Sequence, residues 1–207
     1  MKNILKIIII VYNRIILYFN GFKNYINRIK EYTYSSRYCI IFKTSNVFFK
    51  YPVNYVKGCQ YFSIGKGTRF GTKAVLTAWD NYEGYTYTPI IKIGEKCNFG
   101  DYLHITSINE IIIGNNVLTG RWVTITDNAH GTSNEICNGQ PPEHRKLFSK
   151  GPVFIGNNVW IGDKVTILPG VSIGENSIIA ANSVVTHDIP KCCVAGGNPA
   201  IILKRYD

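Results

Sequence analysis

A six-residue beat constrains this chain more than any other feature. Stepping by six from Ile155 gives Ile161, Ile167, Ile173, Ile179 and Val185, all aliphatic. The next residue is mostly small (Gly156, Gly162, Gly174, Ala180), with Leu168 the exception. Four places after each aliphatic stand Val159, Val165, Val171, Ser177 and Ser183. The beat recurs earlier as Ile64, Phe70 and Leu76, as Ile93, Phe99 and Ile105, and as Ile113, Thr119 and Ile125. Such a period matches neither a helix of about 3.6 residues per turn nor an alternating strand. It matches short strands wrapped round a three-sided prism, one hexapeptide to a side, with each aliphatic pointing inward onto its equivalent in the next coil. The glycine that follows is expected where the backbone turns tightly. Three hexapeptides make a coil, so the blocks amount to about five coils, roughly 24 Å of prism at a strand spacing of ~4.8 Å. The expected fold is all-β, a parallel β-helix of hexapeptide repeats.

The beat breaks twice, at residues 78–89 (AWDNYEGYTYTP) and at 127–152, which carries His130, Pro141, Pro142, His144 and Arg145. Long loops on a repetitive scaffold are where function concentrates. After Ile189-Pro190 the pattern ends, and residues 195–206 read as a turn and a short basic tail.

Charge is uneven along the chain. The net charge is +10, yet residues 1–37 hold seven Lys/Arg against one acid, Glu31, and so carry six of those ten charges. The body is then no polyanion binder, and nucleic acid is not an expected partner. Segment 1–37 forms its own unit ahead of a domain at 38–207. Lys6, Asn13, Asn20 and Asn27 recur every seven positions, with Asn24 and Glu31 near the same stripe. That predicts an amphipathic helix with a narrow polar face. Lys6 and Arg14 disfavour a full membrane span, and no small-residue cleavage site follows. Two readings stay open: an interfacial helix touching a membrane through residues 1–30, or a helix packed on its own domain. The six cysteines show no CxxC spacing, which suits a reduced, cytoplasmic chain.

Several strings are familiar: LHIT at 103–106, IIIGNNVLTG at 111–120, ITDNAHG at 125–131, GPVFIGNNVWIG at 151–162, VTILPGVSIGENSIIAANSVVTHDIP at 165–190 and AGGNPA at 195–200. Together they resemble the hexapeptide-repeat acyltransferases, in the branch of galactoside, maltose and polysaccharide O-acetyltransferases. The resemblance covers roughly residues 60–205. It implies a left-handed coil, a homotrimer, acetyl-CoA as acetyl donor and a sugar or glycan acceptor. With the apolar, basic N-terminus it points to surface-polysaccharide synthesis at the inner face of a membrane; a free small sugar or an amino sugar is the alternative acceptor.

Acetyl transfer from a thioester needs a base for the acceptor hydroxyl, donors for the oxyanion and a slot for the CoA arm. His130 matches the family's catalytic histidine; an imidazole, titrating near ~6.5, suits the task. Following an inward Ala129, its ring is expected to face out into a cleft. Asp127 either orients that imidazole, binds the acceptor or only shapes the turn. Asn128, His104 and Arg145 are candidates for the acceptor, and Trp160 resembles the tryptophan that walls the family's site. The resemblance assigns the Asp163 N–H to the oxyanion, Ala181 to the pantetheine arm, and Thr186 with His187 further along. Lys204 matches a basic tail position, with Arg205 beside it, for the CoA phosphates. His187 stands where many relatives have Lys, and Ile201 where they have a basic residue. No metal is expected. A γ-carbonic-anhydrase-like zinc enzyme needs a close histidine pair that His104, His130 and His144 lack. A catalytically dead scaffold would have no reason to keep His130 and the CoA-side motifs.

Overall fold

The computed structural model describes residues 2–132 and 139–206; part of the 127–152 excursion, with Cys137, lies outside the described residues. A helix, α1 (Lys2–Ile41), leads into three parallel sheets whose strands alternate in rotation, first sheet to second to third. α1 takes 40 residues, so the chain is not all-β, and the helix runs past the expected boundary at 37. The second sheet stacks six strands in chain order, from Tyr55–Lys57 to Val184–Val185, which makes six coils among the described residues. The coil that the beat does not show is the first. Its inward residues Phe49, Val56 and Ile64 stand seven and eight positions apart, so a count by six reaches back to Ile64 and misses Phe49 and Val56.

Strand register carries the beat into space. Ile113 pairs with Ile155 and Ile155 with Ile173; Ile105, Ile125, Ile167 and Val185 stack the same way in the second sheet. All are buried. At about 1.5–3 kcal/mol for each fully buried aliphatic, these columns are the main source of stability. The first sheet's column starts with rings: Phe49 stacks on Phe70 at 4.8 Å and Phe70 on Phe99 at 5.1 Å. It then reaches Thr119, whose hydroxyl accepts from the Gly100 N–H at 3.0 Å and donates to the Gly120 carbonyl at 3.1 Å. The one polar step in the beat is thereby satisfied.

The glycines do a different job from the expected one. On three successive turns of the corner from third to first sheet the left-handed residues are Asn116, Asn158 and Asn176, with φ of 56°, 57° and 58°. Asparagine tolerates that conformation, and the three side-chain amides bond in a ladder at 3.1 Å per rung. Gly156 is required by the close approach of the next coil, because a Cβ there would lie 2.6 Å from the Glu175 nitrogen.

The end of α1 closes the first coil. The Ser35 hydroxyl donates to the Val47 carbonyl at 3.2 Å and accepts from the Phe49 N–H at 2.9 Å. The Tyr34 hydroxyl accepts from the Val53 N–H at 2.7 Å, and Phe42, just past the helix, stacks on Phe49 at 5.4 Å. An open strand edge is covered in this way. From Ile10 to Tyr25 the helix is exposed on every side, including Leu17, Tyr18 and Phe19. No helix among the described residues is long and apolar enough to cross a membrane.

Candidate active site

Both excursions leave the prism at one corner, between the second and third sheets. The first lies between Val75–Ala78 and Ile90–Ile93, the second between Thr124–Thr126 and Val153–Ile155. Each folds into an antiparallel ribbon: Asn81–Tyr82 with Tyr85–Thr86, and Ala129–His130 with Leu147–Phe148. The two are stitched together. The Tyr82 hydroxyl donates to the Glu143 carbonyl at 2.6 Å, and the Leu147 N–H donates to the Tyr87 hydroxyl at 2.9 Å. His144 Nδ1 lies 3.2 Å from Glu83 Oε2, and the Lys146 ammonium 5.4 Å from the Tyr85 ring centre.

Under this roof the outer face of the second sheet forms a cleft of about 400 Å³. His104, Thr106, Thr124 and Thr126 line its floor, Tyr55, Trp79 and Tyr82 its sides, and Asn128 and His130 its upper end. His130 is exposed on its ribbon, opposite Leu147, and the Tyr82 ring meets it edge to face at 5.4 Å. Its aim comes from that ribbon and not from an inward Ala129, which is exposed; the last inward side chain before the loop is Asp127. His104 shares the cleft, in register with Val75 and Thr124. Burial pushes its imidazole below the ordinary value, so near pH 7 it is neutral and offers one donor and one acceptor.

Asp127 has the contacts of a turn-shaping residue. It is fully buried, and its oxygens accept from the Ser107 hydroxyl at 2.5 Å and from the Ile108 and Asn109 N–H groups at 2.9 Å each. A carboxylate so occupied, facing the core, is not the group that orients His130. Asn128 also gives part of its amide to structure, donating to the Thr106 carbonyl at 3.3 Å and to Asp127 at 3.1 Å.

Other expected site residues lie elsewhere on the prism. Arg145 donates its Nε–H to the Gln140 carbonyl at 2.8 Å, inside its own loop. Trp160 is half-exposed on the first sheet, in line with Leu118 and Ile178, and so on a different face from His130. Asp163 and Ala181 occupy the corner between first and second sheets, on the fifth and sixth coils. Asp163 Oδ1 caps the Arg121 N–H at 2.8 Å, while Ala181, one coil on, has no side-chain acceptor to return the favour to the Asp163 N–H. Thr186 and His187, bonded at 2.7 Å, sit past the last second-sheet strand. Lys204 and Arg205 end the antiparallel strand Ala200–Arg205, with Lys204 4.6 Å from the Tyr206 ring centre. A single chain therefore assembles His130, His104 and Asn128, and leaves the donor-side residues on the last coils and on another face. Among the described residues no group of three or more His, Cys, Asp and Glu stands together to hold a metal. Tyr55, Trp79 and Tyr82 were not anticipated individually; the aromatic run at 78–89 was the sign of Trp79 and Tyr82, and Tyr55 had none.

Comparison with known proteins finds relatives with hexapeptide repeats and the same fold. The family described as bacterial transferase hexapeptide (six repeats) matches residues 152–187. A putative lipopolysaccharide biosynthesis O-acetyl transferase, WbbJ, of Escherichia coli K12 is 37% identical over 121 residues, 57% of this chain and 62% of that protein. The galactoside O-acetyltransferase of the same organism is 39% identical over 130 residues, 59% of this chain and 58% of its own length. The chain thus spans about three fifths of the length of these two relatives. Among solved structures, the N-acyltransferase AntD of Bacillus cereus, in complex with dTDP and 3-hydroxybutyryl-CoA, superposes with a TM-score of 0.63 at 18% identity, covering 79% of this chain and 81% of that one. The polySia-specific acetyltransferase NeuO superposes with a TM-score of 0.51 at 27% identity, covering 77% and 65%.

Proposed function

We propose that the chain is a hexapeptide-repeat transferase that moves acetyl from acetyl-CoA to a sugar hydroxyl in the synthesis of a surface polysaccharide. The observation that carries this is His130 at the end of a cleft lined by rings and hydroxyls, the lining a pyranose needs. In this reading His130 takes the proton of the acceptor hydroxyl as its oxygen attacks the thioester carbonyl. The tetrahedral oxyanion collapses with loss of the CoA thiolate, which recovers the proton, and an acetyl ester remains. The prism is left-handed and assembles as a homotrimer. Two copies then face each other across a groove, which brings Trp160 and the Asp163 N–H of one prism toward the His130 of another and lays CoA along Ala181, Thr186 and His187 to Lys204 and Arg205. Mass spectrometry of a panel of oligosaccharides, nucleotide sugars and small amines is expected to show acetylated sugars, from a particle of three 23.4 kDa chains by light scattering. Acetylated amines alone, or a single-chain particle at assay concentration, would reject the reading.

The same proposal places the enzyme at the cytoplasmic face of a membrane, held by residues 1–30. At about 100° per residue, Val11, Ile15, Tyr18, Phe22, Tyr25 and Ile29 share one arc of α1, and Asn13, Asn20, Asn24 and Asn27 fall opposite. Arg14 and Arg28 flank one side, Lys23 and Lys30 the other, and no acid precedes Glu31. Like charges oppose bundling of this helix with copies of itself, whereas anionic headgroups match it. The full chain is expected to float with vesicles of phosphatidylcholine and phosphatidylglycerol, and poorly with phosphatidylcholine alone. Ile15→Glu with Phe22→Glu should abolish flotation. Retention of binding in that variant, or none in the wild type, would mean that protein covers this face instead.

A further inference from the structure

The cleft has a length and a polarity that the proposed function leaves unused. It spans four strands of the second sheet, from Tyr55 on the first coil to Thr124 and Thr126 on the fourth. Three strand spacings of ~4.8 Å make it about 14 Å long. A pyranose is roughly as long as one spacing, so the cleft has room for more than a single sugar. His130 stands at the upper end of the track. The residues proposed for the donor, Asp163, Ala181, Thr186 and His187, all belong to the coils beyond it. An acceptor reaching His130 therefore extends the other way, toward the first coil.

A cation stands beside that lower end, against one of the cleft's side rings and outside the lining itself. Lys57 lies on the same strand as Tyr55, two residues on, and its ammonium sits 3.5 Å from the centre of the Trp79 ring, one of the cleft's sides. Lys57 is half-buried and forms no ion pair with another described residue. A ring face holds an ammonium in place but does not neutralise it. The carboxylates nearby are already engaged: Asp80 accepts from the Tyr61 hydroxyl at 2.9 Å, Glu83 faces His144, and Asp127 is locked in its turn. No Asp or Glu lines the cleft itself. The lining thus carries no carboxylate, and an unpaired ammonium stands beside its Trp79 side.

We infer that the acceptor is a saccharide carrying an oxyanion at its far end, about 14 Å from the hydroxyl that reacts at His130, and that Lys57 on Trp79 recognises that oxyanion. This rests on the sugar-acetylating reading for what happens to the ligand, but not for its binding. Two sources share the chemistry: the carboxylate of an acidic sugar within a glycan, and the phosphate of a sugar linked to a diphosphate. Both place a charge-assisted hydrogen bond on the ammonium.

The test is calorimetry on the full chain without acetyl donor. The probes are galacturonate mono-, di- and trisaccharides, the galactose oligomers of equal length, and uridine diphosphate galactose, each also assayed as acetyl acceptor. The wild type should bind the acidic trisaccharide or the nucleotide sugar at least about tenfold more tightly than a neutral sugar. Lys57→Met, which keeps the stem on Trp79, should remove that advantage and leave neutral sugars unchanged. Preference for the acidic trisaccharide assigns the oxyanion to a carboxylate, and preference for the nucleotide sugar assigns it to phosphate. Equal binding of charged and neutral sugars, or equal losses for both in Lys57→Met, overturns the inference. Transfer to sugars with charge-indifferent binding would sink this inference alone. Lys57-dependent binding with no transfer to any probe would instead sink the acetyltransferase reading.

Discussion

His130→Ala is expected to fold as the parent does and to turn over its best acceptor about 10²–10⁴ times more slowly, the usual worth of a positioned base. Folding should survive because the ring is exposed on a ribbon outside the prism and, among the described residues, meets the Tyr82 ring edge to face. A surface substitution of this kind shifts stability by about 0.5 kcal/mol or less. The core columns that hold the coils together do not touch it. The KM for acetyl-CoA should stay within a few-fold, since the residues proposed for the donor lie on later coils. A fall in kcat and in kcat/KM by equal factors marks an interaction made only in the transition state. Wild-type turnover in this variant would remove His130 from the mechanism. A large loss in melting temperature would instead make it a prop for the two stitched loops.

Why the coils were legible in the sequence and the cleft was not follows from how each is specified. A prism side of fixed length imposes its period on the chain, so Ile155, Ile161, Ile167 and Ile173 announce it without help from any distant residue. Phe49, Val56 and Ile64 obey the same geometry with extra residues between them, and the first coil stayed hidden for that reason alone. Glycine at the repeat was visible, but its cause was not: close approach to the next coil is a contact between coils, while left-handed φ falls on Asn158 two residues later. The cleft depends on pairs such as Tyr82 with Glu143 and Tyr87 with Leu147, 61 and 60 positions apart, which no local pattern encodes. His130 was found because its string is familiar. Trp79 and Lys57, whose side chains meet beside the cleft, belong to no familiar motif and needed the fold to bring them together.

Asp127 separates the two kinds of information most sharply, because a carboxylate three residues before the histidine proposed as the base invites a catalytic reading. Its contacts imply a different outcome for Asp127→Ala. The substitution leaves the Ser107 hydroxyl and the Ile108 and Asn109 N–H groups facing an empty space beside the core. A buried donor left without a partner costs about 1–3 kcal/mol. Allowing for some relaxation of the turn, the loss should be about 3–5 kcal/mol. At roughly 2–4 °C per kcal/mol for a chain of this size, the melting temperature should fall by on the order of 10 °C. Asp127→Asn should fail in part as well, because its NH₂ must then face one of those three donors. Measured well below the new melting temperature, kcat should stay within about threefold of the parent, unlike the 10²–10⁴ expected at His130. Calorimetric melting and steady-state kinetics on the same preparations distinguish the two roles. An unchanged melting temperature with a thousandfold loss of kcat would restore Asp127 to the catalytic machinery, as the partner that orients His130.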